Sequence, residues 1–411
     1  HSDATIRQFD FTPEDRLLQF ASVSFDVFAE DVFPALLSGA TLVLLEDEKF
    51  IDPVHIKQTM QQHGVTLGNF PTAYWHTLAT VCFQDTALRQ IIIGGEQVEM
   101  EYYQQWRTNN PNLPVMNTYG PTETTISVAY YPMSELTNEQ QNIPIGRPYH
   151  NTQIFVLIEL LEQLPIGETV ELYIAGDGLA RGYWKNEALT REKFVDNPFV
   201  PGTRMYKSGD KAQWDANGQL VCLGRIDHQV KIRGFRIELG EIEQALVTHP
   251  MVTQAVVVVQ KVNQNKQLRA FVKAKAGLNQ SVLSEYLGKK LPEYMIPADI
   301  ALVDEFPLTV NGKVDRAKLS ITLPKATKSP TSSATSALEQ ELIALWQSKL
   351  YTANLWVEDN FFEVGGHSLL GVQLVHQMNQ RWPESNLQVL DLMKDPTIRG
   401  VAQKISESLA P

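Results

Sequence analysis

Apolar residues follow two rhythms along this chain. Short unbroken bursts, Thr41-Leu-Val-Leu-Leu45, Gln90-Ile-Ile-Ile-Gly94 and Gln153-Ile-Phe-Val-Leu157, predict strands covered on both faces. Helical segments from Asp52 to Gly64 and from Glu99 to Asn109 lie between them. That alternation predicts an α/β domain with a mostly parallel sheet in its early part. After Gly224-Arg-Ile-Asp227 the texture changes to a compact α+β unit. It has a helix over Leu239–Val247, a strand over Gln254–Gln260, a second helix over Ser281–Leu291, and a hairpin Leu308–Val314 turning at Asn311-Gly312.

From Pro324 to Ser336 the chain is rich in Ser, Thr, Pro and Lys with no apolar period, which predicts a flexible tether. A helical stripe of Leu338, Leu342, Leu345 and Trp346 follows it, then a serine-led helix with Leu369, Leu370, Val372, Leu374, Val375 and Met378 on its apolar positions. Two more helices, over Gln388–Met393 and from Ile398 to Leu409, complete a small four-helix bundle. The divisions are therefore 1–226, 227–320, a linker 321–336, and 337–411.

At 411 residues the chain has room for two or three cores. Its formal charge of −12 argues against a nucleic-acid partner. No apolar run approaches the length of a membrane span, and no leader-like segment opens the chain. Cys82 and Cys222 stand far apart, without disulfide or zinc spacing, so a reducing cytoplasm suits the chain.

The chemistry is concentrated in motifs. Gly365-Gly-His-Ser368 places Ser368 at a helix N-terminus, where unpaired N–H groups favour a phosphate; alone, the serine reads first as an N-cap. Asn117-Thr-Tyr-Gly-Pro-Thr-Glu-Thr-Thr125 gathers hydroxyls, a ring and a carboxylate in one loop. In order there follow Glu171–Trp184, Tyr206-Lys-Ser-Gly-Asp210, Gly224–Glu243, Leu291-Pro-Glu-Tyr-Met-Ile-Pro297 and Asn311-Gly-Lys-Val-Asp-Arg316. With these six runs in this order, the chain closely resembles the adenylation and peptidyl carrier domains of a non-ribosomal peptide synthetase, over essentially its whole length.

The resemblance implies an ANL-type adenylate-forming core, a small mobile α+β subdomain and a four-helix-bundle carrier. It implies that a carboxylic acid attacks the α-phosphate of ATP, giving an acyl-adenylate and pyrophosphate, and that the thiol of a 4'-phosphopantetheine arm on Ser368 then displaces AMP. Lys313 matches the lysine that bridges carboxylate and phosphate, and Glu123 the Mg²⁺-binding glutamate. Thr122 would donate to phosphate, Tyr119 stack on adenine and Asp210 accept both ribose hydroxyls, with Arg225 reaching ribose or phosphate. Gly95, Glu96, Asn117 and Gly120 complete the expected nucleotide site. Asp227 matches a hinge about which the small domain rotates, exchanging Lys313 for the Gly234 loop.

The family's substrate pocket maps to Asp26, Val27, Glu30, Asn69, Ile92, Gly94, Thr118, Ile126, Ser127 and Lys313. Asp26 in that role implies an α-amino acid, and Glu30 shares its helix face four residues on. A buried carboxylate needs a partner, so the expected substrate is arginine, ornithine or lysine; glutamine or tyrosine, or pairing of Glu30 with a lysine or arginine of the protein, stay open. Gly94 and Ser127 are expected to leave room for a long side chain. Phe28, Val170 and Ser208 depart from the family pattern, and the phosphate-binding loop of the family's N-terminal third is expected to be absent. Implied partners are the amino acid, a phosphopantetheinyl transferase and condensation or other synthetase domains, with nothing demanding a dimer. A freestanding acyl-CoA ligase and a non-catalytic scaffold in which only the carrier works are the competing readings.

Overall fold

A computed structural model describes the chain except for residues 46–51, 138–139, 141, 159–166, 228, 233, 263–264, 276, 309–313, 321–335, 351–354, 362–363, 365, 367 and 410–411. Two compact units emerge, His1–Lys49 with Pro53–Asp227, and His228–Pro411 with Phe50–Asp52. Among the described residues no helix is long and apolar enough to cross a membrane.

The first unit is built on a seven-stranded sheet. Its strands are β1 (Arg16–Gln19), β2 (Thr41–Leu44), β3 (Leu67–Pro71), β4 (Gln90–Gly94), β5 (Val115–Tyr119), β6 (Ala129–Pro132) and β7 (Arg147–Pro148), in the order β2-β1-β3-β4-β5-β6-β7. Pairing is parallel from β2 through β5 and antiparallel at β6 and β7. Crossovers run through α2 (Val27–Leu37), α3 (Pro53–His63), α4 (Thr72–Leu78) and α5 (Met100–Asn109), with α1 (Ser2–Gln8) preceding them. Packing explains the unbroken run of β4, whose three isoleucines are buried, but β2 departs from the expectation: as the edge strand it buries only Val43 and leaves Leu44 exposed. Leu17, Leu67, Ile92 and Met116 join Phe9, Phe11, Ala35 and Tyr149 in one core, while Trp75 and Trp106 from α4 and α5 pack together at 5.5 Å.

The burst at Gln153–Leu157 lies outside that parallel sheet. It forms β8 (Thr152–Leu157) in a second, antiparallel sheet with β9 (Val170–Gly176), β10 (Phe194–Asp196), β11 (Arg204–Trp214) and β12 (Leu220–Arg225). The short helix α6 (Glu187–Lys193) precedes β10, N-capped by Asn186. A continuous apolar run reports burial on both faces, not strand direction, so the sequence carried no mark of this change.

In the second unit, a hairpin of β13 (Val230–Ile232) and β14 (Phe235–Ile237) precedes α7 (Leu239–Val247). The sheet β15 (Val252–Val262), β16 (Asn265–Ala274) and β17 (Asp299–Leu302) carries α8 (Gln280–Gly288) and α9 (Arg316–Ser320). Helix α8 stops three residues short of the expected Leu291. Gly288 is its last residue, and the amides of Lys290 and Leu291 turn back onto the Leu287 carbonyl, both at 2.8 Å. The Asn311-Gly312 turn and the linker residues 321–335 lie outside the described residues, while Leu308 and Val314 flanking that turn form an antiparallel bridge.

The last four helices are α10 (Ala337–Leu350), α11 (Ser368–Arg381), α12 (Val389–Lys394) and α13 (Ile398–Leu409). They share a core of Leu342, Trp346, Phe361, Leu374, Met378, Leu392, Val401 and Ile405.

Candidate active site

Asp210 lies on β11 behind Gly209, whose φ of +76° only glycine adopts at ease; a Cβ there would meet the Arg225 guanidinium at 2.7 Å. The Asp210 amide donates to Ser208 Oγ at 3.0 Å, and Ser208 donates on to the Leu172 carbonyl at 2.6 Å. The carboxylate is buried, accepting from the Tyr119 hydroxyl at 2.5 Å on one oxygen and from Arg225 at 3.2 Å on the other. Burial, reinforced by the Asp210 charge, drives the Tyr119 phenol well above its usual pKa, so it stays a donor. Arg225 also forks onto Asp227 at 2.8 and 2.6 Å. Four residues read separately from three motifs thus form one hydrogen-bonded chain.

The loop after β5 doubles back tightly. A Cβ on Gly120 would come within 1.9 Å of the Ile126 carbonyl oxygen, so the position admits only glycine. Thr125 and Ile126 follow with φ of +67° and +66°, a left-handed pair that costs non-glycine residues about 1–2 kcal/mol each. The loop is stitched to the segment 178–183: Thr125 Oγ1 donates to the Gly178 carbonyl at 2.6 Å, and the Ala180 amide to the Glu123 carbonyl at 2.8 Å. Tyr183 donates to Glu123 Oε1 at 2.6 Å and lies 3.3 Å from the Tyr206 hydroxyl. Tyr183 lies within the run Glu171–Trp184, but nothing in the sequence alone singles it out as a partner of Glu123.

Thr122 opens the short 3-10 turn Thr122–Thr124. Asn117 is buried and donates to the Pro144 carbonyl at 2.8 Å, which ties down a neighbouring loop. Gly95 has φ of +93°, and Thr72 Oγ1 reaches the carbonyls of Gly94 at 3.1 Å and Glu96 at 3.3 Å, shaping that turn.

Among the residues expected to line the amino-acid pocket, Asp26 precedes α2 and makes no side-chain cap, and Val27 begins the helix. Glu30, one turn later, is buried; Ser127 donates to its Oε2 at 3.2 Å and His1 Nε2 lies 3.0 Å from its Oε1. Burial raises its pKa to about 7; hydrogen bonds from Ser127 and Asn69 oppose that rise, and the Asp26 charge adds to it. Asn69 also donates to Asp31 at 2.9 Å, and burial pushes Asp31 well above the carboxylate range. Asp26, Glu30, Asn69 and Ser127 are therefore brought together. Ile92 and Thr118 are buried on adjacent strands.

Two readings fail here. Gly94 leaves no open space: a Cβ would strike Thr118 Oγ1 at 2.6 Å, and that hydroxyl is committed to the Ile93 carbonyl at 2.9 Å. Glu30 also pairs with a histidine, His1, rather than with a lysine or arginine of the protein. Both corrections involve side chains brought together across the fold.

Lys313 lies outside the described residues. Close after it, Arg316 grips Glu243 bidentately at 2.7 and 3.0 Å and reaches the Val257 carbonyl at 2.8 Å. Gly234 has φ of +80° between β13 and β14. Helix α11 begins at Ser368, whose side chain is outside the described residues. Two residues earlier, a Cβ on Gly366 would meet the Phe361 ring and carbonyl at 2.4 Å, so close packing requires that glycine.

Comparisons with known proteins agree with this anatomy. Residues 2–184 match the AMP-binding enzyme family, 241–313 its C-terminal domain, and 340–405 the phosphopantetheine attachment site. The chain is 38% identical over 401 residues to bacitracin synthase 3 of Bacillus licheniformis, covering 96% of this chain and 6% of that protein. It is 38% identical over 397 residues to tyrocidine synthase 1 of Brevibacillus parabrevis, covering 96% of this chain and 36% of that protein. The chain thus spans a minor part of the curated relatives it matches. The solved structure of holo-PA1221, an NRPS protein containing adenylation and PCP domains bound to a vinylsulfonamide inhibitor, aligns with a TM-score of 0.82 at 28% identity, covering 97% of this chain and 68% of that one. With an AMP-binding region, its C-terminal domain and a phosphopantetheine attachment site in that order, this chain belongs to the non-ribosomal peptide synthetases as an adenylation–carrier segment.

Proposed function

We propose that the chain activates a basic α-amino acid, of the arginine, ornithine or lysine class, as its aminoacyl-adenylate and transfers it to the carrier domain joined to it. The observation that carries the substrate class is Glu30, a buried carboxylate one helical turn from Asp26, with Asn69 and Ser127 against it. An apolar side chain there would leave a desolvated carboxylate without compensation, whereas an ammonium or guanidinium supplies charge and donors together.

The residues fit ATP. Asp210 offers acceptor oxygens for ribose hydroxyls, with Tyr119 and Arg225 fixing its orientation. Glu123 is an oxygen ligand of the kind Mg²⁺ takes alongside phosphate oxygens, and that cation would neutralise charge developing on the phosphates. Thr122 and Lys313 supply the remaining donors, and Asp26 holds the substrate ammonium so that its carboxylate faces the α-phosphate. A phosphopantetheine arm placed on Ser368 by a phosphopantetheinyl transferase would provide the thiol that receives the acyl group. Asp227, at the boundary between the two compact units, serves as the hinge between half-reactions. The protein acts as a monomeric cytoplasmic module beside condensation or other synthetase domains, in keeping with Cys82 and Cys222, which form no disulfide.

A second reading has its own support. The His1–Glu30 contact supplies part of the partner that Glu30 needs, which favours a neutral donor such as the glutamine amide. Pyrophosphate exchange across the twenty amino acids, in the full-length protein and in Glu30→Ala, separates the two. Preference for a basic residue, abolished in the variant, supports the first; preference for Val, Leu or Phe, unaffected by the variant, rules out both.

A further inference from the structure

Beneath the pocket lies a polar group that the ten mapped positions do not include. Tyr149 follows β7, is buried at 4% exposure, and packs edge-on to Phe9 at 6.3 Å. Its hydroxyl interacts with Glu30 and Ser127. Ser127 gives its own proton to Glu30, so it has none to donate to the Tyr149 hydroxyl, whose oxygen receives no hydrogen bond among the described residues. A buried hydroxyl left unpaired costs about 1–3 kcal/mol, a cost that a ligand with a donor or acceptor at that point removes. The His1 ring lies parallel to the Tyr149 ring, centroids 6.0 Å apart and planes at 7°, while its Nε2 contacts Glu30 Oε1.

Four side chains from distant parts of the sequence therefore converge: His1 beside α1, Glu30 on α2, Ser127 after the left-handed pair, and Tyr149 after β7. Each oxygen of Glu30 already has at least one protein contact, so Glu30 alone offers too few free lone pairs for a buried ammonium or guanidinium, which carry three and five N–H donors. The Tyr149 oxygen is an additional acceptor against the same residues.

We propose that Tyr149 and His1 are specificity-determining residues of the amino-acid pocket: Tyr149 Oη accepts a hydrogen bond from the terminal nitrogen of the substrate side chain, and His1 fixes the Glu30 carboxylate that faces that nitrogen. This rests on the basic-side-chain reading above and adds two positions to it.

The test is amino-acid-dependent pyrophosphate exchange in the full-length protein and in Tyr149→Phe, His1→Ala and His1→Gln, with lysine, ornithine, arginine and the uncharged isostere norleucine. For the preferred basic substrate, Tyr149→Phe raises KM about ten-fold with kcat within about two-fold and the KM for ATP unchanged, and its advantage over norleucine shrinks by the same factor. His1→Ala does likewise, and His1→Gln, which keeps a donor, restores most of the loss. An unchanged ratio of kcat/KM between basic substrate and norleucine in both Tyr149→Phe and His1→Ala overturns the proposal while the basic reading stands. If Tyr149→Phe does not fold, the His1→Ala and His1→Gln pair decides. A wild-type preference for norleucine over every basic amino acid overturns the basic reading itself, and this inference with it.

Discussion

Under the proposed function, Glu30 is the residue on which substrate choice turns, and its environment sets a pH dependence. Burial lifts its pKa to about 7, so the empty pocket holds a neutral acid below that value and a carboxylate above it. A cationic side chain binds the ionised form. Its KM therefore falls about ten-fold per pH unit as pH rises towards 7 and levels off above it, provided the substrate stays charged. Glu30→Gln removes this slope and leaves the KM for ATP in place; steady-state exchange between about pH 5.5 and 8.5 reads both. A wild-type profile flat across that range contradicts the assignment. The pairing of Asp26 with Glu30 was legible from their spacing of four, because helical geometry is local. His1 and Tyr149 were not, because they reach Glu30 through the packing of α1 on α2 and the turn after β7. The occupation of the space at Gly94 by Thr118 was hidden for the same reason, since the two lie on neighbouring strands.

Among the elements, the loop from Gly120 to Ser127 stores strain, and its hydrogen bonds to the segment 178–183 hold it. Gly120→Ala forces a Cβ into the Ile126 carbonyl, found 1.9 Å from its ideal position, and is expected to destabilise the first unit by about 3 kcal/mol or more. Urea unfolding followed by tryptophan fluorescence measures this, and a loss below about 1 kcal/mol would show that the loop relaxes freely. Elsewhere Asp15 anchors three segments. It accepts from Arg89 at 2.8 Å, Thr66 at 2.7 Å and the Thr12 amide at 2.8 Å. Burial acts to raise its pKa, but these hydrogen bonds prevail and hold it at about 2 against an ordinary 3.8. The folded pKa is the lower one, so the contribution of about 2 kcal/mol is complete above about pH 4 and disappears as pH falls from about 4 to 2. Asp15→Asn should flatten that part of the acid-unfolding curve, while an unaltered curve removes Asp15 from the account. Helices and strands with local periodicity were readable in the sequence, α7 and α13 to the residue. The direction of β8 was not, since strand pairing is decided by partners far along the chain.

At the scale of the whole molecule, motif order carried more information than any single motif. Asn117–Thr125, Tyr206–Asp210 and Gly224–Asp227 meet as one hydrogen-bonded group because β5 and β12 end beside Asp210 in the interior of β11. Their proximity comes from the fold, while composition alone suggested only that Asn117–Thr125 is a loop. Gly366 against Phe361 shows the same logic in the carrier, where close packing explains the glycine before Ser368. The central claim is that one chain both selects a basic amino acid and presents the serine that receives it. Intact-mass analysis of the full-length protein, after priming by a phosphopantetheinyl transferase and incubation with ATP, Mg²⁺ and an equimolar amino-acid mixture, tests it most directly. The account predicts the phosphopantetheine increment followed by that of arginine, ornithine or lysine, both lost in Ser368→Ala. An increment matching an apolar amino acid, or one that survives Ser368→Ala, would contradict it.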